Sequence, residues 1–304
     1  MNIEVKTTFN DAIQLFCNYL YGNKKSQKTI TAYTKDINEF KKYINSRYKG
    51  IRYIQQIKLN EIIEYKTHLR KMAEVGEISD ILQDRRIFAL RSFFSYLKES
   101  DIITKNIMEN DKYKKSKRKE SPDFLETYEL DIIYNTVKKE GGRNIRRDLS
   151  LFCALRFLGG RRSDILNLKW SKINFSKHTI EVWREKTKNY SVLPLHPKLE
   201  EALIELNEVT PDKSKDYIFI SNKNNKLSDT AFRGIIEKYV HKSGLQKNFN
   251  ITSRIFRHSF CTNLISNKVP ESLIIEYTGH ADSSSLKYYA AAKENQLKEV
   301  HCYL

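Results

Sequence analysis

The sequence predicts a mainly α protein: a four-helix bundle, then a mostly helical second domain with a small antiparallel sheet. Two observations lead to this fold class. Apolar residues recur at helical spacing through about the first hundred residues, and two short β-branched stretches interrupt the helical pattern of the second half. The chain of 304 residues is long enough for two domains of ordinary size.

Four amphipathic helices are predicted in the first domain, residues 1–111. The first covers residues 8–21, and the second follows the polar stretch Ser26–Thr29. The third contains Leu59–Met72, and the fourth runs from about Ser79 to Lys98. Helices of this length and spacing pack as a small bundle.

The polar faces of the second and fourth helices are basic, which predicts a DNA-binding surface. A solvated helix face is the competing interpretation of the same charges. The residues that we expect to contact DNA on this surface are Lys28, Arg85, Arg86 and Arg91.

Residues 112–122 are predicted to be a basic linker. Residues 112–119 include six basic side chains in eight positions and show no apolar periodicity, so they cannot build a core. A tether between two domains that clamp a duplex would run along phosphates, whereas a nuclear-import signal is the competing interpretation. The linker residues expected to contact DNA are Lys114, Lys115, Lys117 and Arg118.

The second domain, residues 123–304, is predicted to begin with two helices that end at Gly141–Gly142 and at Gly159–Gly160. After the predicted sheet, further helices are expected at about 197–207, 229–243, 254–266 and 271–278, with a short tail helix in 290–304.

Two strands are predicted between these helices, at Ile180–Trp183 and at Tyr190–Leu195, joined by the turn Arg184–Asn189. Proline cannot donate a ladder hydrogen bond, so Pro194 places the second strand at an edge of the sheet or places Pro194 at the strand's end.

The charge balance favours a polyanionic partner, of which nucleic acid is the commonest. Lys and Arg number 54 against 37 Asp and Glu, giving a net charge of +17. A Lys-rich proteome is the alternative explanation of this excess. No apolar run reaches the ~20 residues that span a bilayer, and the N-terminus lacks the apolar core of a signal peptide.

The cysteines are far apart and show no CxxC spacing, which argues against a zinc site and for reduced thiols in the cytosol. We therefore expect a cytoplasmic protein without a membrane partner, and one that is nucleoid-associated if its polyanionic partner is DNA. The four positions are Cys17, Cys153, Cys261 and Cys302.

Cleaving a DNA phosphodiester without a metal requires a nucleophile, positive donors for the charged phosphorus centre, and an acid for the leaving 5′ oxygen. Tyrosine, arginine and lysine suit these three tasks. No cluster of Asp and Glu has the pattern of a two-metal site, so no metal or other cofactor is expected.

Four segments carry these residue types in the second domain. Arginines lie in Gly159–Ile165 and in Arg254–His258, and lysines lie in the predicted turn at Glu185–Lys188. Near the C-terminus, Thr278–Tyr289 contains a Gly-His pair followed nine residues later by a tyrosine. Together they predict a phosphodiester-cleaving centre built around Tyr289.

The chain resembles the tyrosine recombinases of the Xer and phage-integrase type over nearly all of its length. Ser26–Phe40 is similar to the opening of the family's SAM-like core-binding domain, and Ala89–Leu97 resembles that domain's last long helix. In the second domain, Gly159–Ile165 resembles the segment G-x-R-x-S-[ED]-[LI], and Arg254–Phe260 resembles the box H-x-L-R-H-[ST]-F.

The register of these motifs implies the catalytic set. Arg254 departs from the family pattern because a histidine usually stands there, and arginine can stabilise charge but cannot readily exchange a proton with the nucleophile. The catalytic residues implied by the resemblance are Arg161, Lys186, Arg254, Arg257, His280 and Tyr289.

Three of these assignments have a neighbour that competes for the role. Register with Ser163–Asp164 favours Arg161 over Arg162, and the spacing from the histidine favours Tyr289 over Tyr288. In the turn, Lys188 remains an alternative to the family's hairpin lysine.

The resemblance implies a site-specific DNA recombinase that forms a 3′-phosphotyrosyl intermediate and exchanges strands through a Holliday junction. Its expected partners are duplex recombination sites and a synaptic homo-tetramer, with a related recombinase as a further option. Because the first helix begins within ten residues of Met1, we expect no arm-binding domain, as in a simple Xer-like or mobile-element recombinase. The alternatives are a type IB topoisomerase-like enzyme and a catalytically weakened DNA-binding protein.

Overall fold

Helices dominate the protein, as its computed structural model shows, and the sheet found in the described part is small and antiparallel. This confirms the predicted fold class. The chain forms two compact units, Met1–Arg118 and Lys119–Leu304. The residues that the structure describes are 6–111, 113, 122–185, 187–210 and 216–279.

The predicted linker, residues 112–122, lies outside the described residues except for Tyr113 and Pro122. Its four expected DNA contacts and the expected tail helix at 290–304 also lie outside them. Those expectations stay predictions.

The first unit contains the four predicted helices, each with ends within a few residues of the expected ones. Serine hydroxyls explain two of the starts, because Ser26 accepts from the N–H of Thr29 and Ser79 accepts from that of Leu82. The helices are α1 (Phe9–Gly22), α2 (Gln27–Arg47), α3 (Leu59–Glu74) and α4 (Asp80–Glu99).

The bundle core is aromatic at its centre. Phe16, Phe40, Phe93 and Phe94 are buried and come from three different helices. The ring centroids of Phe16 and Phe93 lie 5.4 Å apart in an edge-on arrangement, which suits aromatic pairs. Burial of these side chains ties α2 and α4 to α1.

The second unit is a set of helices around one short sheet. Its helices are α5 (Thr127–Glu140), α6 (Ile145–Phe157), α7 (Arg162–Leu166), α8 (Pro197–Glu208), α9 (Asp229–Lys242), α10 (Ser253–Ser266) and α11 (Glu271–Thr278). Its strands are β1 (Ile173–Asn174), β2 (Thr179–Arg184) and β3 (Asn189–Pro194).

The sheet has the order β1-β2-β3, and both pairings are antiparallel. Pro194 ends β3, which is an edge strand, so the prediction for this residue is confirmed. Along β2, burial alternates, and Ile180, Val182 and Arg184 are the buried set. The short elements β1 and α7 were not predicted, because so few residues show no periodicity.

Candidate active site

The turn after α6 brings the first arginine segment against α10. Gly159 has a φ of +52°, and a Cβ built there would lie 2.3 Å from the Phe260 ring. Only glycine fits both the left-handed backbone and this close approach. The turn therefore holds the carbonyl of Gly159 within reach of α10.

Arg161 follows this turn and caps α7. Its backbone N–H donates to Oδ2 of Asp164 over 3.1 Å, and its Nη1 donates to the carbonyl of Gly279 over 2.9 Å. Its side chain is 24% exposed, so part of it faces solvent. The neighbouring Arg162 instead pairs with Asp229 at 3.0 Å.

Arg257 lies on α10 and is buried. Its Nη1 donates to the carbonyl of Gly159 over 2.9 Å and to that of Thr278 over 3.0 Å. One helical turn earlier, Arg254 is exposed and donates from Nε to Nε2 of His258 over 3.3 Å.

His258 is held as a neutral imidazole. Because its Nε2 accepts from Arg254, its Nδ1 carries the proton and donates to the carbonyl of Asp123 over 3.2 Å. Burial lowers the pKa of His258 below its ordinary value, and the positive charge of Arg254 lowers it further. His258 therefore orients Arg254 without itself carrying charge at neutral pH.

Arg184 was missed by the reasoning from sequence. It is the last residue of β2, and its side chain is fully buried. It donates from Nη1 to Oδ2 of Asp164 over 3.2 Å, from Nε to the hydroxyl of Ser191 over 3.2 Å, and from Nη2 to the carbonyl of Tyr277. The alternation of β2 carried the signal, because residue 184 continues the buried set of Ile180 and Val182.

Arg184, Arg257 and Arg161 thus bind three consecutive carbonyls at the end of α11, those of residues 277, 278 and 279. The carboxyl end of a helix carries unpaired carbonyls and partial negative charge, which favours cations there. Gly279 ends the helix with a φ of +65°. The next residue in the chain is His280.

Three predicted catalytic residues, Lys186, His280 and Tyr289, lie outside the described residues, so their assignments stay predictions. In the turn that contains Lys186, the ammonium of Lys188 pairs with the carboxylate of Glu185. The competing hairpin lysine is therefore bound by a carboxylate of the turn itself.

The predicted DNA-binding arginines of the bundle have partners within the bundle. Arg85 donates to both carboxylate oxygens of Asp36, over 2.8 and 2.9 Å, and its side chain is 44% exposed. Arg91 donates to Asp111 over 3.2 Å. Arg86 is mostly buried, with Nη2 at 3.9 Å from Glu39.

Lys28 is exposed near the start of α2, where it lines a shallow depression together with Lys35 and Arg85. This depression and the basic edge of Arg85 form the described part of the candidate DNA surface. Contact with DNA stays a prediction for all four bundle residues.

Within residues 6–279 as described, no three His, Cys, Asp or Glu side chains are grouped so that they could hold a metal ion. In the same part of the chain, the structure contains no helix with the length and apolar character needed to span a bilayer.

Two family models match the chain. The model of the phage integrase family matches residues 123–296, and the model of the phage integrase N-terminal SAM-like domain matches residues 13–100.

Relatives that align with more than nine-tenths of this chain are named tyrosine recombinases. Tyrosine recombinase XerC of Pediococcus pentosaceus is 29% identical over 303 residues, which cover 96% of both chains. A tyrosine recombinase of Thermosipho africanus is 28% identical over 279 residues, covering 91% of this chain and 93% of the relative.

Solved structures share the fold. A lambda integrase dimer bound to a COC′ core site aligns with a TM-score of 0.75 at 18% identity, covering 95% of this chain and 78% of the integrase. XerH bound to its difH substrate aligns with a TM-score of 0.70 at 20% identity, covering 93% of this chain and 80% of the XerH chain. The chain belongs to the phage integrase family and is a tyrosine-type site-specific recombinase, an enzyme that breaks and rejoins DNA.

Proposed function

We propose that Tyr289 is the nucleophile of this recombinase. Its phenolic oxygen bonds to the scissile phosphorus as the bond from phosphorus to the 5′ oxygen breaks, which leaves a 3′-phosphotyrosyl enzyme and a free 5′-hydroxyl. A 5′-hydroxyl from a partner strand then displaces the tyrosine. One phosphoester replaces another at each step, so the reaction proceeds without ATP.

The observation that carries this proposal is the convergence of Arg161 and Arg257 on the end of α11, immediately before His280. Three motifs that are distant in sequence meet there. Fixed cations in a partly dry site stabilise a charged phosphorus centre far better than cations in water do. We assign charge stabilisation to these two arginines, to His280 and to Arg254.

Lys186 is the proposed acid that protonates the leaving 5′ oxygen. Lysine suits this role because its pKa responds to its surroundings, and Lys188 is already bound to Glu185. Arg254 contributes charge only, since a guanidinium does not accept a proton from the tyrosine. The phenolic proton therefore leaves to water, to the phosphate or to another group.

A nicked suicide duplex tests the nucleophile. Cleavage near the nick releases a short fragment that carries the free 5′-hydroxyl, and once this fragment diffuses away the covalent enzyme cannot rejoin the strand. Tyr289→Phe should form no adduct, whereas the matched control Tyr288→Phe should form it as the wild type does. The adduct is measured as a denaturation-resistant band shift. An adduct formed by Tyr289→Phe would show that the nucleophile is misassigned.

The proposed partners are duplex recombination sites and a synaptic tetramer of this chain, acting in the cytoplasm on nucleoid DNA. A lambda integrase tetramer bound to a Holliday junction has the same fold, with a TM-score of 0.73 at 18% identity. It supports four copies as the assembly to test first.

Residues 290–304 are the proposed latch between neighbouring copies. A groove of about 740 Å³ in the second unit offers an apolar receptor for such a segment. Its lining includes Phe260, Leu264, Val269 and the 54% exposed Leu273. Deleting residues 292–304 should prevent tetramer formation on DNA in sedimentation experiments, and an unchanged tetramer would exclude this role for the tail.

A further inference from the structure

Arg184 is a buried cation at a position where the strand pattern would place an aliphatic side chain. Ile180 and Val182 precede it on the same face of β2, and all three side chains are buried. Burying a guanidinium costs free energy unless its charge and its N–H groups find partners. Its surroundings supply those partners from three separate elements.

Each partner of Arg184 belongs to a different part of the active site. Oδ2 of Asp164, which accepts from Arg184, also accepts the backbone N–H of Arg161. The carbonyl of Tyr277 lies in the last turn of α11, three residues before His280. One carboxylate oxygen and one carbonyl thus join the end of β2 to the segments that carry two proposed charge stabilisers.

Gly279 packs directly against the same side chain. A Cβ built on Gly279 would lie 3.1 Å from both Cδ and Nε of Arg184. The helix end therefore rests on the arginine stem as well as on its N–H groups.

The hairpin turn begins directly after Arg184. Arg184 pairs with Asn189 across the last rung of the β2-β3 ladder, and Lys186 lies between these two residues in the sequence. Nε of Arg184 also binds Ser191 on β3, so the arginine holds both strands of the hairpin. Because Arg184 is the last residue of β2, its side-chain contacts hold the base of the turn.

We propose that Arg184 is a positioning residue for the cleavage step, because it fixes the hairpin that carries Lys186 against the framework of Arg161, Asp164 and the end of α11. This inference rests on the proposed function, in which Lys186 protonates the leaving oxygen. Lysine cannot replace Arg184, because one ammonium cannot copy the planar fork that reaches an aspartate, a hydroxyl and a carbonyl together.

The test compares two suicide duplexes that differ in one atom. In the first, the leaving atom is the ordinary 5′ oxygen, and in the second it is a bridging 5′ sulfur. A thiolate leaves without prior protonation, since thiols ionise near pH 8.5. A variant that only misplaces the acid should therefore recover on the sulfur duplex.

On the oxygen duplex, Arg184→Lys should cleave about 10- to 100-fold more slowly than the wild type, as expected for a misplaced catalytic group. On the sulfur duplex, its deficit should shrink to within about 3-fold, as should that of the reference variant Lys186→Ala. Affinity for the uncleaved duplex should stay within about 3-fold of the wild type, because the side chain is buried.

Arg147→Lys is the matched control. Arg147 also donates to an aspartate and a carbonyl, those of Asp148 and Ile220, and its side chain is 14% exposed. Its variant should lower thermal stability and leave the cleavage ratio between the two duplexes at the wild-type value.

Equal deficits of Arg184→Lys on both duplexes, or wild-type cleavage on both, would overturn the inference and leave the proposed function intact. If the wild type forms no adduct on either duplex, the proposed function itself fails. Should Arg184→Lys not fold, Ser191→Ala removes only the Nε partner. It should show a smaller deficit of about 2- to 5-fold that the sulfur duplex again removes, and an unchanged rate on both duplexes would overturn the inference.

Discussion

Arg184 in the second unit and Arg85 in the bundle each bind a buried aspartate, but they use that partner in opposite ways. Arg184 has no exposed surface and donates two further hydrogen bonds, to the hydroxyl of Ser191 and to the carbonyl of Tyr277. Arg85 holds Asp36 with one edge of its guanidinium while 44% of its side chain stays exposed.

The pKa values of the two arginines move in opposite directions. Burial lowers the pKa of Arg184, whereas the hydrogen bond with Asp36 raises the pKa of Arg85. Both remain charged at neutral pH, because guanidinium stays protonated in proteins. The same type of ion pair thus connects buried elements in the second unit and presents a cation to solvent in the bundle.

Stability measurements on the two aspartates give the largest expected contrast. Asp164→Asn should lower the free energy of unfolding of the second unit by about 3–5 kcal/mol, because it leaves the buried charge of Arg184 uncompensated. Asp36→Asn should cost about 1 kcal/mol in the bundle, because Arg85 can hydrate.

Tryptophan fluorescence during urea unfolding measures the first of these effects, since both tryptophans, Trp170 and Trp183, lie in the second unit. Far-UV circular dichroism reports the helices of both units, so the bundle, which contains no tryptophan, is followed as the loss of helix signal that has no matching change in fluorescence. Equal losses at the two positions would refute the contrast between the fully buried pair and the pair whose arginine is partly exposed.

Adjacent arginines in the second unit sharpen the same contrast for catalysis. Arg161→Ala should slow covalent adduct formation by about 10²–10³-fold, the usual cost of removing one charge-stabilising donor. The control Arg162→Ala should stay within about 3-fold, because Arg162 pairs with Asp229 on the surface. Single-turnover cleavage of the suicide duplex measures both rates. A larger loss for Arg162→Ala than for Arg161→Ala would show that Arg162 is the catalytic arginine of this segment.

Local patterns were sufficient to predict the described α-helices of two turns or more and the hairpin. The predicted helix at 271–278 coincides with α11, and the predicted strands differ from β2 and β3 by a residue or so. Periodicity and turn residues decide such elements locally. Short elements such as α7 depend on capping by Asp164 and on tertiary packing, which periodicity does not report.

The candidate site was predictable only in part for a related reason. Motif spacing identified Arg161 and Arg257 as candidates, and in the structure both side chains contact the end of α11. Arg184 belongs to no motif, and its importance depends on contacts with residues that are 20 and 93 positions away. Long-range hydrogen bonds of this kind leave only a weak trace in sequence, here a charged residue at a buried position of a strand.

DNA affinity tests whether the exposed part of Arg85 contacts DNA. Arg85→Ala should weaken binding about 5- to 10-fold at moderate salt and reduce the slope of log affinity against log salt by about one, the signature of one lost phosphate contact. Arg70→Ala is the control on α3, where the side chain is 75% exposed and pairs with Glu74. Equal salt slopes for both variants would remove Arg85 from the DNA surface.

The smallest expected effect concerns His258 and the pH dependence of stability. Burial and Arg254 lower its pKa in the folded protein, so the unfolded chain takes up a proton first as the pH falls. The stabilising contribution is therefore fully present above the unfolded-state pKa of about 6.5 and is lost as the pH falls through the folded-state pKa. Urea unfolding of the second unit should show a shallower loss below neutral pH for His258→Asn than for the wild type. Burial also lowers the pKa of His196, but that residue is present in both proteins, so the difference isolates His258. Identical pH profiles would mean that the imidazole does not act as the neutral acceptor for Arg254.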